Sequence, residues 1–313
     1  MSNTGSMGNM GNMGNMGGGG SLSRGAFFPD RGGLPFVTAS GKKDSDIAAN
    51  NANLPSFLIG NWSTEHYAWL VLTDFVKLRG QKADGKDWGW DTWGDDILSA
   101  SVPGYMDSDR KPMWTPHQTG ATVMGELSGL VTAARNERAD ALGEILGQSD
   151  EFVSFFLQLL SASNGYPATA RLLSIANFVG SFCAMFYKGK FARPRPSMLC
   201  PALMPPIPVP GHASFPSGHA TQAQLMALCM KAVIEHLPDD RKIAINNNLE
   251  VLALRIARNR EIAGLHYPSD SCAGRTLAGK IRDLLITTLG DTNQWFQEAL
   301  AAARAEWGKK RET

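Results

Sequence analysis

Leu172-Leu-Ser-Ile-Ala-Asn-Phe-Val-Gly-Ser-Phe-Cys-Ala-Met-Phe-Tyr187, bounded by Arg171 and Lys188, is the stretch of this 313-residue chain that comes nearest to a membrane span. It is shorter than the ~20 residues a bilayer crossing requires. Asn177 and Ser181 interrupt it, and a cation closes each end. It therefore reads as a buried core helix, and the expectation is a chain with no transmembrane segment. Helical patterns continue on both sides. Ser63-Thr64-Glu65 caps a run through His66, Trp69, Leu70, Leu72 and Phe75 toward Leu78. Others cover Val123 to Leu146, Glu151 to Ser161, Pro167 to Tyr187, Ser217 to Leu237, Asp239 to Ala263, Ser269 to Leu289 and Thr292 to Trp307. Few segments alternate with strand period, so the expected fold is all-α, a helical bundle around one apolar core.

Two regions break the helical pattern. Gly80 to Pro116 is rich in Gly, Asp and Trp, including Trp88, Trp90, Trp93 and Trp114, and reads as a long structured loop. In Pro194 to Pro216 proline recurs too often for a helix to continue. Because this second stretch joins chemically rich segments, it is expected to form a loop at the mouth of a site.

Bulk properties narrow the function. A net charge of +1 argues against nucleic acid as the main partner, since phosphate-backbone binding usually needs a basic patch. Cys183, Cys200, Cys229 and Cys272 show no paired or zinc-like spacing, and the first and third sit in apolar surroundings that suit buried free thiols. Met1 to Ser21 repeats Gly, Asn and Met without a charge, unlike a secretory signal. It lacks the aliphatic residues that would offset its ordering entropy. The expected organisation is a disordered tail over residues 1–45 and a single helical domain over 46–313. The expected location is cytoplasmic or otherwise soluble. Exposed helix faces leave homo-oligomerisation open but show no interface.

Three blocks carry chemistry. Lys188-Gly-Lys-Phe-Ala-Arg193-Pro-Arg195-Pro196 follows the apolar helix and is, alone, a solvated basic run. Pro216-Ser217-Gly218-His219 opens a helix whose first N–H groups and dipole attract an anion. Ser217 taken singly is an ordinary N-cap, whereas capping leaves His219 unexplained. Asn259-Arg260-Glu-Ile-Ala-Gly-Leu-His266-Tyr-Pro-Ser-Asp270 ends in a histidine and a carboxylate. Asp270 is either the N-cap of the next helix or the acceptor that fixes the His266 tautomer. Together the blocks supply cations, a helix N-terminus, two histidines and an orienting carboxylate. That is a full inventory for phosphoryl transfer through a covalent intermediate.

This sequence resembles the type 2 phosphatidic acid phosphatase and vanadium haloperoxidase superfamily, whose signature reads Lys-X6-Arg-Pro, Pro-Ser-Gly-His and Ser-Arg-X5-His-X3-Asp. Lys188, Arg195 and Pro196 match the first part, Pro216 to His219 the second, and Arg260, His266 and Asp270 the third. Asn259 stands where the family usually has Ser, a position peripheral to the phosphate. The match spans residues 188–270. The resemblance implies that Lys188, Arg195 and Arg260, with Ser217 and the Gly218 N–H, neutralise phosphate oxygens. It further implies that His266 attacks phosphorus, that Asp270 orients it, and that His219 protonates the leaving oxygen.

The resemblance covers two activities. Arg193, which completes Arg-Pro-Arg-Pro, is similar to the phosphatase pattern; this reading needs no cofactor and takes a small phosphate ester. His212, seven residues before His219, resembles the extra histidine of the bromoperoxidases. In that reading vanadate is the cofactor, bound through His266, and the partners are halide and peroxide. His212 and Arg193 are then candidates for contacting halide or supporting the site from behind. The phosphatase is placed first, the haloperoxidase second, and a non-catalytic oxyanion-binding protein third.

Overall fold

The computed structural model describes residue 59 and residues 62–101, 116–160, 165–287 and 293–308. The tail expected over 1–45 and the loop position Trp114 lie outside the described residues.

The described fold is all-α apart from one two-stranded hairpin. Helix α1 spans Thr64–Phe75, and Ser63 caps it by accepting the His66 N–H. The hairpin pairs β1, Arg79–Gln81, antiparallel to β2, Asp87–Gly89. Helices α2, Gly94–Ser101, α3, Pro116–Asn136, α4, Arg138–Asp150, and α5, Val153–Leu159, follow. The site-bearing half contains α6, Pro167–Phe191, α7, Gly218–Val233, α8, Asp239–Ile262, and α9, Pro268–Thr287, before α10, Gln294–Gly308.

Helix α7 is the axle. Ala220, Ala223, Leu225, Met226, Ala227, Cys229 and Met230 are buried all round it, as befits a helix apolar on every face. It packs against α6, α8 and α9, while α1 and α10 cover the far side of α6. Helix α6 is long and apolar enough to cross a membrane by length and composition, which the shorter stretch first counted in the sequence was not. Most of it is nevertheless buried inside the fold. Its polar Asn177 is matched internally, its Oδ1 accepting from Gln222 Nε2 of α7 at 2.7 Å. Cys183 and Cys229 are buried free thiols in this core.

Two expectations about secondary structure need correction. Gly80 to Pro116 is not a continuous loop: its described part holds the hairpin and α2. Strands as short as Arg-Gly-Gln and Asp-Trp-Gly have no β-branched residue, so they leave no strand period to read. Tertiary docking holds them instead. The Tyr187 hydroxyl donates to the Trp90 carbonyl at 2.9 Å and accepts the Trp93 N–H at 2.8 Å, while the Trp90 ring packs edge-on to Phe182 and Phe186. The helix expected over Val123 to Leu146 is broken at Glu137 into α3 and α4. Neither Pro nor Gly marks that break. Arg138 instead ties the start of α4 to other elements, donating to the carbonyls of Ile262, Leu203 and Met204.

Candidate active site

Three chain turns bring the sequence blocks together. At the end of α6, Ala192 takes a left-handed conformation (φ 50°) and its N–H bonds the Lys188 carbonyl, so the helix stops and Arg193 to Pro196 leave at a new angle. The end of α8 closes with paired bonds, Leu265 N–H to the Arg260 carbonyl and Gly264 N–H to the Glu261 carbonyl. This double closure needs a left-handed residue, and Gly264 (φ +78°) supplies it. His266 follows two residues later. The third turn is the start of α7, where Ser217 is the N-cap and its own N–H is held by the Asp270 carbonyl at 2.9 Å. Gly274 of α9 lets these two helices approach: a Cβ there would lie 2.7 Å from the Ser217 carbonyl oxygen and 3.0 Å from the Thr221 nitrogen.

His266 is held at both ring nitrogens. Its Nε2 lies 3.1 Å from Arg195 Nη1. Guanidinium only donates, so Nε2 accepts and the ring proton sits on Nδ1. Nδ1 in turn lies 3.2 Å from Asp270 Oδ2. That carboxylate oxygen also accepts the Tyr267 N–H at 3.0 Å and a short bond from the Ser214 hydroxyl. Asp270 is therefore not an N-cap. Pro268 occupies the first position of α9, and Asp270 sits in the first turn, reaching back to the Tyr267 N–H as the acid of a capping box does.

The cations divide into two kinds. Lys188, Arg195 and Arg260 are buried but bonded to neutral carbonyls: Lys188 to Ala213 and Ser214, Arg195 to His212 and Leu265, Arg260 to Ile145. None of the three makes an ion pair with a carboxylate among the described residues. Arg260 Nε is buried without a hydrogen-bond partner among them. Arg193 differs. Its Nη1 donates to Asp270 Oδ1 at 2.7 Å, its Nη2 to Glu126 Oε2 at 3.0 Å, and its guanidinium lies 3.7 Å from the Tyr267 ring centre. Arg193 is thus flanked by two carboxylates behind His266, unlike the first three.

His219 stands in the first turn of α7, half-buried and stacked on Phe152 with ring centres 4.8 Å apart. Its Nε2 lies 3.2 Å from the Gln148 carbonyl, which can only accept, so the neutral ring carries its lone pair on Nδ1. Asn259 stands behind this contact, donating to Gln148 Oε1 at 2.9 Å and to Glu144 Oε2 at 3.0 Å. His212, half-buried, lies with Nδ1 3.0 Å from Arg195 Nη2. The same nitrogen is 3.2 Å from the Ala213 carbonyl, to which it donates only if the Arg195 bond is given up.

The electrostatics follow from burial and crowding. Burial, then Arg195, lowers the Lys188 ammonium well below its ordinary value. Burial pushes Arg195 and Arg260 each down to about 10. His266 is held well below the usual imidazole range by burial and Arg195, and His219 by burial and Arg260. Burial with Lys188 and Arg195 brings His212 down to about 4. Burial would raise Asp270, but Arg193, with His266 and Ser214, holds its carboxyl well below the usual carboxylate range. A set of buried, mutually repelling cations is relieved by an anion. The first-turn N–H groups of α7, which have no intrahelical partner, face the same task.

The structure thus assembles Lys188, Arg195, Ser217, Gly218, His219, Arg260, His266 and Asp270 around one centre, with His212 beside Arg195 and Arg193 behind Asp270. Glu126, Gln148, Ser214 and Phe152 touch these residues yet carry no sequence motif; Gln148 and Phe152 become visible only once α4 and α5 are folded onto His219. No curated protein matches the chain significantly. The family model described as the PAP2 superfamily matches residues 169–291, the segment running from α6 through α9 that contains His212, His219 and His266 with the buried Lys188, Arg193, Arg195 and Arg260. Over these residues the chain is similar to the PAP2 superfamily.

Proposed function

We propose that this protein is a soluble phosphoric monoester hydrolase that works through a phosphohistidine on His266. The observation that supports the reading is the pairing of His266 with its surroundings. The Nε2 lone pair stands among three cations that form no ion pair with a carboxylate among the described residues, while Nδ1–H is committed to Asp270. An imidazole so oriented is a nucleophile beside an anion pocket.

In the first half-reaction Nε2 attacks phosphorus, the bond to the ester oxygen breaks, and His219 Nδ1 gives its proton to that oxygen. Lys188, Arg195, Arg260 and the α7 N-terminus stabilise the non-bridging oxygens as charge builds. In the second half-reaction His219 Nδ1 takes a proton from water, the water oxygen attacks phosphorus, and the N–P bond breaks to release phosphate. Arrival of a dianion offsets the cations that keep His219 neutral, so substrate itself favours the protonated acid. The burial of most of α6 inside the fold supports a soluble enzyme acting on small esters.

A second reading rests on His212, whose ring meets Arg195 at the site. Vanadate fits the residues present: Arg260 Nε has no partner among the described residues, and the cation set suits a multiply charged oxyanion. Lys188, Arg195, Arg260, Ser217 and Gly218 would hold its oxygens, and His266 Nε2 its metal. Bound there, it would supply a Lewis-acid centre that activates peroxide for halide oxidation.

One paired assay tests both readings. Purified protein is offered 4-nitrophenyl phosphate and, after loading with orthovanadate, bromide with peroxide. Hydrolysis that vanadate inhibits, without bromination, is expected. Vanadate-dependent bromination that weakens in His212→Ala would overturn the order of the two readings. Neither activity would leave an oxyanion-binding protein.

A further inference from the structure

We propose that Glu126 is a positioning residue of this site, holding the turn that carries His266 and Asp270 from the opposite side of Arg193. The assignment rests on His266 as the group that attacks phosphorus. Glu126 belongs to α3, outside the residues that match the family, and its carboxylate accepts three bonds from Ser269 and Arg193. Oε1 accepts the Ser269 N–H at 2.8 Å, and Oε2 accepts the Ser269 hydroxyl at 2.9 Å and Arg193 Nη2 at 3.0 Å. Arg193 Nη1 meanwhile reaches Ser269 Oγ and Asp270 Oδ1, each at 2.7 Å. Tyr267, Ser269 and Asp270 are thus all held by one carboxylate–guanidinium unit, immediately after His266.

Ordinary helix capping explains only part of this. A carboxylate at the start of α9 is favourable wherever it sits, because the N–H of Ser269 lies in the first turn. Capping does not require that the same carboxylate share a buried guanidinium with Asp270. That guanidinium stands between two acids, Glu126 and Asp270, so neither owns its charge. With Glu126 neutralised, Arg193 loses one of the two acids that flank it and draws Asp270 Oδ1 more strongly toward itself. The Oδ2 edge that meets His266 Nδ1–H is then less firmly placed and less negative. Glu126 therefore acts on the nucleophile through Arg193, without touching the anion.

The test uses the full chain with Glu126→Gln, which keeps size and one acceptor, alongside Glu126→Asp and Glu126→Ala. For 4-nitrophenyl phosphate hydrolysis, kcat in Glu126→Gln falls about 10- to 100-fold, the range found for partners that orient metal-bound histidines. KM and the vanadate inhibition constant stay within about twofold, since the oxyanion contacts are untouched. Glu126→Asp, which keeps the charge, retains more activity than Glu126→Ala. In 15N-histidine-labelled protein the His266 Nδ1–H resonance moves upfield in Glu126→Gln, reporting a weaker bond to Asp270. An unchanged kcat with an unmoved resonance would reduce Glu126 to a helix cap. A resonance shifted in Glu126→Gln, with a wild-type protein that hydrolyses nothing, would sink the phosphatase reading and leave the positioning role standing.

Discussion

His266 and His219 are imidazoles of the same pocket, facing the same cations, but they are held by opposite kinds of partner. His266 is backed by a carboxylate that the Ser214 hydroxyl, the Tyr267 N–H and the Arg193 guanidinium fix in place. His219 is backed by the neutral carbonyl of Gln148 and stacks on Phe152. A carboxylate behind Nδ1–H raises the basicity of Nε2 and stabilises positive charge on the ring, which suits a nucleophile that acquires a phosphoryl group. A carbonyl orients a ring without supplying a charge. Its proton affinity is then set by what occupies the pocket, which suits a group that must both give and take a proton. The division of labour between the histidines is thus a difference in the charge of their anchors.

The largest effect should come from removing the nucleophile. His266→Ala should cut 4-nitrophenyl phosphate hydrolysis by about ten-thousand-fold or more, as loss of a covalent catalyst does. Helical content by circular dichroism should stay at the wild-type level; residual turnover near wild type would erase the contrast between the two rings. His219→Ala should cost about 100- to 10,000-fold, the span of general acid–base catalysis, with an alkyl phosphate. The loss should shrink with 4-nitrophenyl phosphate, whose leaving group needs no proton, and phosphohistidine should accumulate in alkali-quenched samples. Equal losses on both substrates would deny His219 the role of acid.

The stability of the ligand-free protein should depend on pH through the same rings. His212, His219 and His266 all have folded values lowered from the ordinary imidazole range. Below about pH 6.5 the unfolded chain binds protons that the folded chain refuses. Their contribution is therefore fully present above that pH and is lost as pH falls toward the folded values. Urea titrations at stepped pH should show this decline, and saturating phosphate should flatten it by raising the folded values. A decline unchanged by phosphate would mean that the anion does not sit beside these rings. Smallest should be Gly274→Ala, which presses a methyl on the Ser217 carbonyl where the His219 helix meets α9, the helix that carries Asp270. A cost of about 1–3 kcal/mol, typical of overpacking, is expected by denaturation. Activity should fall with it, because the His219 helix must shift relative to His266.

Much of this arrangement can be read from spacing. Lys188, Arg195, His219, Arg260, His266 and Asp270 sit in short blocks, and proline-rich Pro194 to Pro216 links two of them, although it is not wholly non-helical: Pro at the first position lets one short helical turn form at Pro196–Leu199 and a 3-10 turn at Pro201–Leu203. Apolar patterning likewise gives α6 to α9, because α7 is apolar on every side and its neighbours each pack an apolar face near it. What stays hidden depends on distant partners. Arg193 looks like its neighbours Lys190 and Arg195 in the basic run, and only folding sets it against Asp270 and Glu126. Pro268 with an acid two residues later marks the first turn of α9, a sign that places Asp270 inside the helix rather than at its cap. Gln148 contributes a main-chain oxygen, which no residue type announces. The hairpin at Arg79–Gly89 is invisible for the opposite reason: its strands have no pattern of their own and depend on Tyr187 and the aromatic face of α6.

The carbonyl oxygens that steady Lys188, Arg195 and Arg260 belong to residues 145, 212, 213, 214 and 265, and each comes from the main chain. Every amino acid brings the same oxygen, so exchanging Ala213, Leu265 or Ile145 for a residue of similar shape leaves the scaffold of the charges intact. The pocket is in this sense buffered against drift in its surroundings. Inherited damage should concentrate at the three cations themselves and at the few positions, such as Gly264, that decide the path of the backbone.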